Sequence, residues 1–525
     1  MPRLKYASIL RVLVLVGLLC IWIQIMLAAS SSGLDRDGDT TYSYTNDVTE
    51  TDVYTLITND EIISREDMMN INETSEQVLA LVPQELHKYL LVHPKNVTGN
   101  STERAGPKNI TSIRRAIERS NDAQTIYNED IFGPVQNDTV IIAIQVHTRI
   151  TYLRHLIVSL AQAKDIERTL LIFSHDYYDE EVNDLVRSID FTKVMQIFYP
   201  YSIQTHPNEF PGVDPNDCPR NFKYNKALKQ KCNNALHPDV HGHYREAKYT
   251  QTKHHWWWKA NRIFNQLQCT TTHTGPVLFL EEDHYVAEDF LHMLALLRNT
   301  ADKTCPQCEI LCLGTYLKTY QYHLNSDKRR KQLTLTYLQQ LRVANEERRR
   351  RQDTQAWNFQ VYPNLYGSTQ KVEITPWHSS MHNMGMAFNQ TVWASIMAHQ
   401  DQFCAYDDYN WDYSLLHLSQ NRGAVGKFKV MLCKGPRVFH IGECGIHHKK
   451  SNCNASTVIG KVQKLLQTAS SHLYPSRVTA TVTFGGAKHN KKLLKGNGGW
   501  GDIRDQELCA NMTREGRQMK KYFFT

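Results

Sequence analysis

The chain has 525 residues, more than one average domain needs, and its 41% hydrophobic content is ordinary for a globular protein able to bury a sizeable core. Its formal net charge of +7 comes largely from local basic runs, which argues against a general nucleic-acid binder. Part of the length is not fold, and the N-terminus shows why. Arg3, Lys5 and Arg11 precede an apolar stretch, Val12 to Ala29, broken only by Gln24. At about 1.5 Å per residue that stretch spans a bilayer with its basic end in the cytosol. It predicts a cytoplasmic tail over 1–11 and a signal anchor over 12–29. A signal peptide cleaved near Ala28-Ala29-Ser30 is the alternative, and both place the remainder in the secretory lumen. Eight Asn-X-Ser/Thr sequons (Asn72, Asn96, Asn100, Asn109, Asn137, Asn389, Asn454 and Asn511) agree with that compartment. Of 12 cysteines only Cys20 lies in the anchor, and disulfides are the expected state of the others.

Residues 30–138 are rich in Asp, Glu, Asn, Ser and Thr and read as a luminal stem. At Thr139 the texture changes. Val140 to Ile144 is a continuous apolar run, as a strand buried on both faces requires, and a helical pattern follows from Tyr152 to Ala163. Further strands are predicted at Leu170–Phe173, Val194–Tyr199, Val277–Leu280 and Ile310–Leu313, with helices at Asp179–Ser188, Lys253–Leu267 and Ala287–Leu297. Alternation at this spacing predicts βαβ units in a doubly wound α/β sheet, whose ligands bind beyond the strand carboxyl ends. Residues 139–525 therefore read as one domain, interrupted by a basic insertion over 321–365 that carries Lys328 to Lys331 and Arg348 to Arg351. A solvated charged face is the reading of that insertion.

Four segments carry chemistry. Glu281-Glu282-Asp283 ends a buried strand, and adjacent acids repel one another unless a cation or a set of donors compensates them. Hard oxygen ligands there suit Mg²⁺ or Mn²⁺ bridging a carboxylate and a diphosphate, while a helix N-cap is the alternative. His440, in Val438-Phe439-His440-Ile441-Gly442, can present an imidazole to the same cation or be satisfied structurally. Acids and aromatics alternate from Cys404 to Asp412, a composition that suits a sugar. Asp407, Asp408 and Asp412 are each candidates for a general base, and the first two also suit a helix start. In Lys253-His254-His255-Trp256-Trp257-Trp258 the tryptophans read as core, and the three preceding residues as possible contacts to a base or pyrophosphate. No Walker-type or Gly-X-Ser-X-Gly motif accompanies these clusters.

Together these segments resemble the N-acetylglucosaminyltransferase II family. The resemblance runs through Gln251 to Trp258, Phe279 to Tyr285, His382 to Gly385, Tyr406 to Asp412, Cys444 to Lys450 and Asn497 to Asp505, and covers roughly residues 139 to 510. It implies a GT-A-type Rossmann-like fold, a Golgi type II membrane protein, and inverting transfer of GlcNAc from UDP-GlcNAc with Mn²⁺ as cofactor. The implied acceptor is the α-1,6-arm mannose of an N-glycan already carrying GlcNAc on its α-1,3 arm. By position, Asp283 and His440 are the implied metal ligands and Asp412 the base. Gln145, Val146, His147, Thr148, Arg149, Asp176, Gln251, Thr252, Lys253, His254 and His255 are the implied donor contacts. Glu281, His284, Asn383, Tyr409, Asn410 and Trp411 are placed on the acceptor side. The implied disulfides are Cys218–Cys232, Cys305–Cys308, Cys404–Cys509 and Cys444–Cys453. The sequence departs from the family pattern in three places. Thr148 stands where Asn is usual, the basic insertion displaces a donor-side Arg, and one family disulfide is absent at both ends, at His399 and within 421–426. Cys269, Cys312 and Cys433 have no family partner. A sibling transferase acting on the α-1,3 arm and a lectin-like relative without catalysis are the alternatives.

Overall fold

A computed structural model of the chain describes residues 79–91, 109–315, 369–442, 455–483 and 496–513. The anchor over 12–29, most of the stem, the basic insertion, and Cys444 and Cys453 lie outside the described residues. No described helix is long and apolar enough to cross a membrane.

The strands are β1 (Ile126–Tyr127), β2 (Val140–Val146), β3 (Thr169–His175), β4 (Lys193–Phe198), β5 (Val277–Glu281), β6 (His284–Val286), β7 (Ile310–Cys312), β8 (Lys371–Pro376), β9 (Met386–Phe388), β10 (Lys429–Cys433), β11 (Val438–His440) and β12 (Thr479–Val482). Among the described residues they form a 10-stranded sheet in the order β1-β4-β3-β2-β5-β9-β7-β10-β8-β12, and a separate ribbon of β6 and β11. The block β4-β3-β2-β5 is parallel throughout, as βαβ alternation requires. β9 runs antiparallel to both neighbours, so the sheet as a whole is mixed. The doubly wound expectation holds for the block that presents the site.

Strand β2 shows how sequence dictates this. Ile142, Ile144 and Val146 face one apolar layer, while Ile141 and Ala143 face the other. A strand covered on both faces has no position left for water, which is why its run is continuously apolar. The covering helices include α1 (Ile110–Ala123), α2 (Ile150–Ala161), α3 (Glu180–Arg187), α4 (Ala247–Asn265) and α5 (Phe290–Thr304). Asp179 caps α3 by accepting from the Val182 amide at 3.0 Å. In α4 all three consecutive tryptophans are buried, at 1%, 0% and 5% exposure. Successive residues on a helix diverge by about 100°, so each meets a different partner. Trp256 stacks on Trp411 (centroids 4.6 Å apart), Trp257 on Phe403 (4.4 Å), and Trp258 meets Tyr199 edge-on.

The expected boundary at residue 139 needs correction, because part of the assigned stem belongs to the sheet. Strand β1 pairs antiparallel with β4. The Asn121 side chain of α1 receives the Phe198 amide (2.9 Å) and donates to the Phe198 carbonyl (2.7 Å). These bonds satisfy the end of β4 with a side-chain amide, which composition alone does not reveal.

Candidate active site

Register assembles the first part of the site. Gln145, at the carboxyl end of β2, is aligned with Glu281 of β5 and Ser174 of β3. Aligned residues of parallel strands share a face, here the one covered by α4. On that helix Gln251, His255 and Lys259 recur at four-residue spacing and so form one polar stripe. Each turn meets the strand ends: Gln251 Nε2 donates to Asp176 Oδ2 (3.1 Å), His255 Nε2 bonds Ser174 Oγ (2.8 Å), and Lys259 Nζ donates to Gln145 Oε1 (2.8 Å). His147 Nδ1 also reaches Asp176 Oδ1 at 2.6 Å. Burial opposes ionisation of Asp176, but His147 and His255 hold its carboxyl well below the usual range. Burial likewise opposes protonation of His147, yet the Asp176 bond lifts it above the ordinary imidazole value. His147 and Thr148 are exposed, whereas burial pushes His255 down.

The acidic strand end divides into three environments. Glu282 is buried and spent: its Oε1 accepts from Arg149 Nε (2.6 Å) and its Oε2 from the His147 amide (2.7 Å). Asp283 Oδ2 accepts from Arg149 Nη1 (2.8 Å) and lies 3.2 Å from His440 Nε2. Its Oδ1 is buried without a hydrogen-bond partner among the described residues. Glu281 makes no side-chain hydrogen bond among the described residues; burial and then the neighbouring Asp283 raise its pKa. The ribbon supplies the imidazoles, since β6 and β11 pair with His284 opposite His440. Arg437 anchors that ribbon through a buried pair with Asp289 (2.8 Å). A strand, not a helix, follows Asp283, so the N-cap reading of this motif fails.

Ligand atoms of Glu281, Asp283 and His284 lie within 4.8 Å of one another. Burial pushes His284 down to about 3, which keeps its imidazole neutral. The orphaned Oδ1 of Asp283, with the His440 imidazole 3.2 Å from its Oδ2 to add a nitrogen ligand, fits a divalent cation. Gly442 makes the arrangement possible, because a Cβ there would sit 2.2 Å from Asp283 Oδ2.

The third part is the loop leading into α6 (Trp411–Gln420). Its three acids are now distinguishable. Asp407 accepts from the Trp500 (2.9 Å) and Val240 (2.6 Å) amides. Asp408 accepts from the amide and side chain of Asn410 (2.9 Å each) and from those of Asn497 (2.9 and 2.8 Å). Asp412 takes none of these distant amides; its Oδ2 accepts from Ser379 Oγ (2.8 Å), with Asn383 Nδ2 at 3.4 Å. Burial raises its pKa and the Ser379 bond partly offsets the rise. Tyr409 packs on Tyr249, with centroids 5.0 Å apart.

Four expected contact side chains have interior partners instead. Val146 belongs to the apolar core. Trp411 is 7% exposed beneath Trp256. Lys253 is fully buried, donates to the Tyr406 and Asp408 carbonyls (3.1 Å each), and lies 4.0 Å over the Trp500 ring. His254 bonds Asp505 (2.9 Å), which also pairs with Arg245 (2.8 Å). Burial pushes Lys253 down to about 7, against the pull of Asp408. Lys253 and His254 therefore clamp the loops that frame the site. Thr252 is half-buried. Sequence reasoning missed Lys259, Ser379 and Gly442. The stripe Gln251, His255, Lys259 was the available signal for the first; the other two leave none. Three expected disulfides are present, Cys218–Cys232, Cys305–Cys308 and Cys404–Cys509, and Cys269, Cys312 and Cys433 are free.

Comparison with known proteins gives this geometry its family. The profile of N-acetylglucosaminyltransferase II matches residues 114–344 and 333–509. Curated relatives named alpha-1,6-mannosyl-glycoprotein 2-beta-N-acetylglucosaminyltransferase include those of Rattus norvegicus and Sus scrofa. The first is 39% identical over 402 residues, covering 76% of this chain and 80% of the relative; the second is 38% identical, covering 76% and 79%. The Arabidopsis thaliana relative of the same name is 31% identical, covering 73% and 77%. Apo mouse xyloside xylosyltransferase 1 covers 62% of this chain and 83% of its own at 13% identity, with a TM-score of 0.23, too weak a likeness to carry the fold. With matched segments running through every cluster described above, the chain belongs to the N-acetylglucosaminyltransferase II family.

Proposed function

We propose that this chain is a Golgi-lumen inverting transferase with a GT-A-type catalytic domain. It moves GlcNAc from UDP-GlcNAc in β-1,2 linkage onto the α-1,6-arm mannose of an N-glycan already primed with GlcNAc on the α-1,3 arm. The observation that carries the mechanism is the separation of the three loop acids: Asp407 and Asp408 are consumed by amides from distant segments, whereas Asp412 takes none of these and its Oδ2 is held by the Ser379 hydroxyl. In this reading Asp412 takes the proton of the mannose hydroxyl at a carboxylate oxygen. The freed oxygen attacks the anomeric carbon, whose bond to UDP breaks on the opposite face, inverting the centre. Ser379 holds Asp412 in place, and Glu281, His284, Asn383, Tyr409 and Asn410 flank the acceptor. The nucleotide occupies the strand ends around Gln145, Asp176 and Gln251, with His147, Thr148 and Arg149 closing over it. Asp283 and His440 would hold Mn²⁺, which when bound offsets charge on the diphosphate leaving group.

The test is a donor-and-acceptor panel with the full-length protein, with Mn²⁺ and with chelator, plus Asp412→Asn. UDP-GlcNAc and the primed glycan should be the productive pair, and Asp412→Asn should bind UDP without transferring. Transfer to the unprimed glycan would favour the sibling specificity, and free GlcNAc as main product would indicate a hydrolase.

A further inference from the structure

Lys259 is the one member of the polar stripe on α4 that no family motif assigns. It is 1% exposed, with its ammonium 5.6 Å from the Phe279 ring. An interior lysine ordinarily pairs with a carboxylate. Here the only hydrogen bond among the described residues goes to a neutral amide, Gln145 Oε1 at 2.8 Å. Glu281 and Asp176 are the carboxylates whose fields reach it. The bond decides more than packing. Nζ donates and the Gln145 amide turns its oxygen inward, the sense that an ammonium, which has donors and no acceptor, requires. Its NH₂ group then faces away from the helix. That nitrogen bonds no described group and is not sealed from solvent. It stands at the half-buried end of β2, in register with Glu281 on one side and Ser174 on the other.

We propose that Lys259 is a positioning residue for the donor: it fixes the rotamer and amide sense of Gln145, so that β2 ends in an outward hydrogen-bond donor for an acceptor oxygen of the nucleotide sugar. This rests on the donor site proposed above. A lysine that merely fills the core predicts lost stability without a selective loss of nucleotide binding. A positioning role predicts that removing Lys259 and removing the Gln145 amide cost the same interaction once.

The experiment is a double-mutant cycle on the full-length protein in the presence of Mn²⁺, read by UDP affinity and by separate KM values for donor and acceptor. Lys259→Met should weaken UDP binding roughly tenfold, the weight of about one ligand hydrogen bond, and leave the acceptor KM unchanged. Gln145→Ala should cost the same, and the double variant no more than either single. Lys259→Arg should recover part of the loss. Gln145→Glu guards against misfolding of the methionine variant, since it offers Lys259 a carboxylate while removing the outward NH₂; it should fold and lose UDP affinity. Additive losses, or wild-type UDP affinity in Lys259→Met or Gln145→Glu, would overturn the role of Lys259. A wild-type protein that binds no UDP would instead overturn the donor-site reading itself.

Discussion

Gly442→Ala is the smallest substitution that should disable the acidic centre. The added Cβ would lie 2.2 Å from Asp283 Oδ2, 3.0 Å from Cγ and 3.1 Å from Cβ, so the whole side chain is in the way. Gly442 itself has no positive φ, so the backbone accepts alanine and the effect falls on Asp283. That carboxylate must rotate, leaving Arg149 at 2.8 Å and His440 at 3.2 Å. Hydrogen bonds to charged groups contribute about 1.5–3 kcal/mol each, and Arg149 keeps Glu282, so the net folding loss should be about 1–3 kcal/mol. The melting temperature then falls by several degrees. Metal affinity should suffer more, by roughly 10–100-fold, as when a group that orients a ligand is removed. A Mn²⁺ titration by calorimetry or electron paramagnetic resonance reads this directly, with Asp283→Asn as the isosteric comparison. Wild-type Mn²⁺ affinity together with a wild-type transfer rate in Gly442→Ala would refute the placement of the cation at Asp283.

Ser379→Ala should move the acid limb of the kcat–pH profile upward, because it removes the bond that stabilises the ionised form of Asp412; an unmoved limb would count against Asp412 as the base. Lys253→Met should lower kcat more than UDP affinity, since it frees the Tyr406 and Asp408 carbonyls behind Asp412. Its pH signature has a definite sign. The folded value, about 7, lies below the unfolded lysine value of about 10.4. The folded state therefore binds fewer protons, and stability rises with pH across that window. Melting curves of Lys253→Met should lose this rise. Removing the Cys404–Cys509 bond, which closes a loop of sequence separation 105, should cost roughly 5 kcal/mol on the loop-entropy scale, read by denaturant unfolding of the double alanine variant.

Much of this was legible before any coordinates. The apolar runs of β2 through β5 could be read because burial on both faces leaves a continuous signal, and the acidic end of β5 stood out against it. What stayed hidden depended on distant pairing. Nothing local in Tyr406 to Asp412 says that Asp407 receives amides from Val240 and Trp500, or that Asn497 completes Asp408. With those amides unknown, three acids remain equivalent bases. Lys253 and His254 read as ligand contacts because they are polar beside a site. Their partners, the carbonyls of the 406–408 loop and Asp505, lie 153 to 251 residues away. The Cys218–Cys232 and Cys404–Cys509 disulfides came from the family resemblance and not from spacing.

The acids at the end of β5 also explain why the donor loop and the metal position form one unit. Arg149 bonds Glu282 and Asp283 simultaneously, so the loop after β2 cannot move without disturbing the carboxylate proposed to hold the cation. Lys259 lies behind the same strand end, where Glu281 is among the carboxylates acting on it. Arg149, His440 and Lys259 are the basic groups whose charges act on these acids, and the hydrogen bonds missing among the described residues are at the Glu281 carboxylate and Asp283 Oδ1. A strand end built only for stability would close those oxygens with amides, as Asp407 and Asp408 are closed. Leaving them open costs folding energy that a cation and an incoming hydroxyl group can return, and this is the physical sense in which the site is poised for ligands.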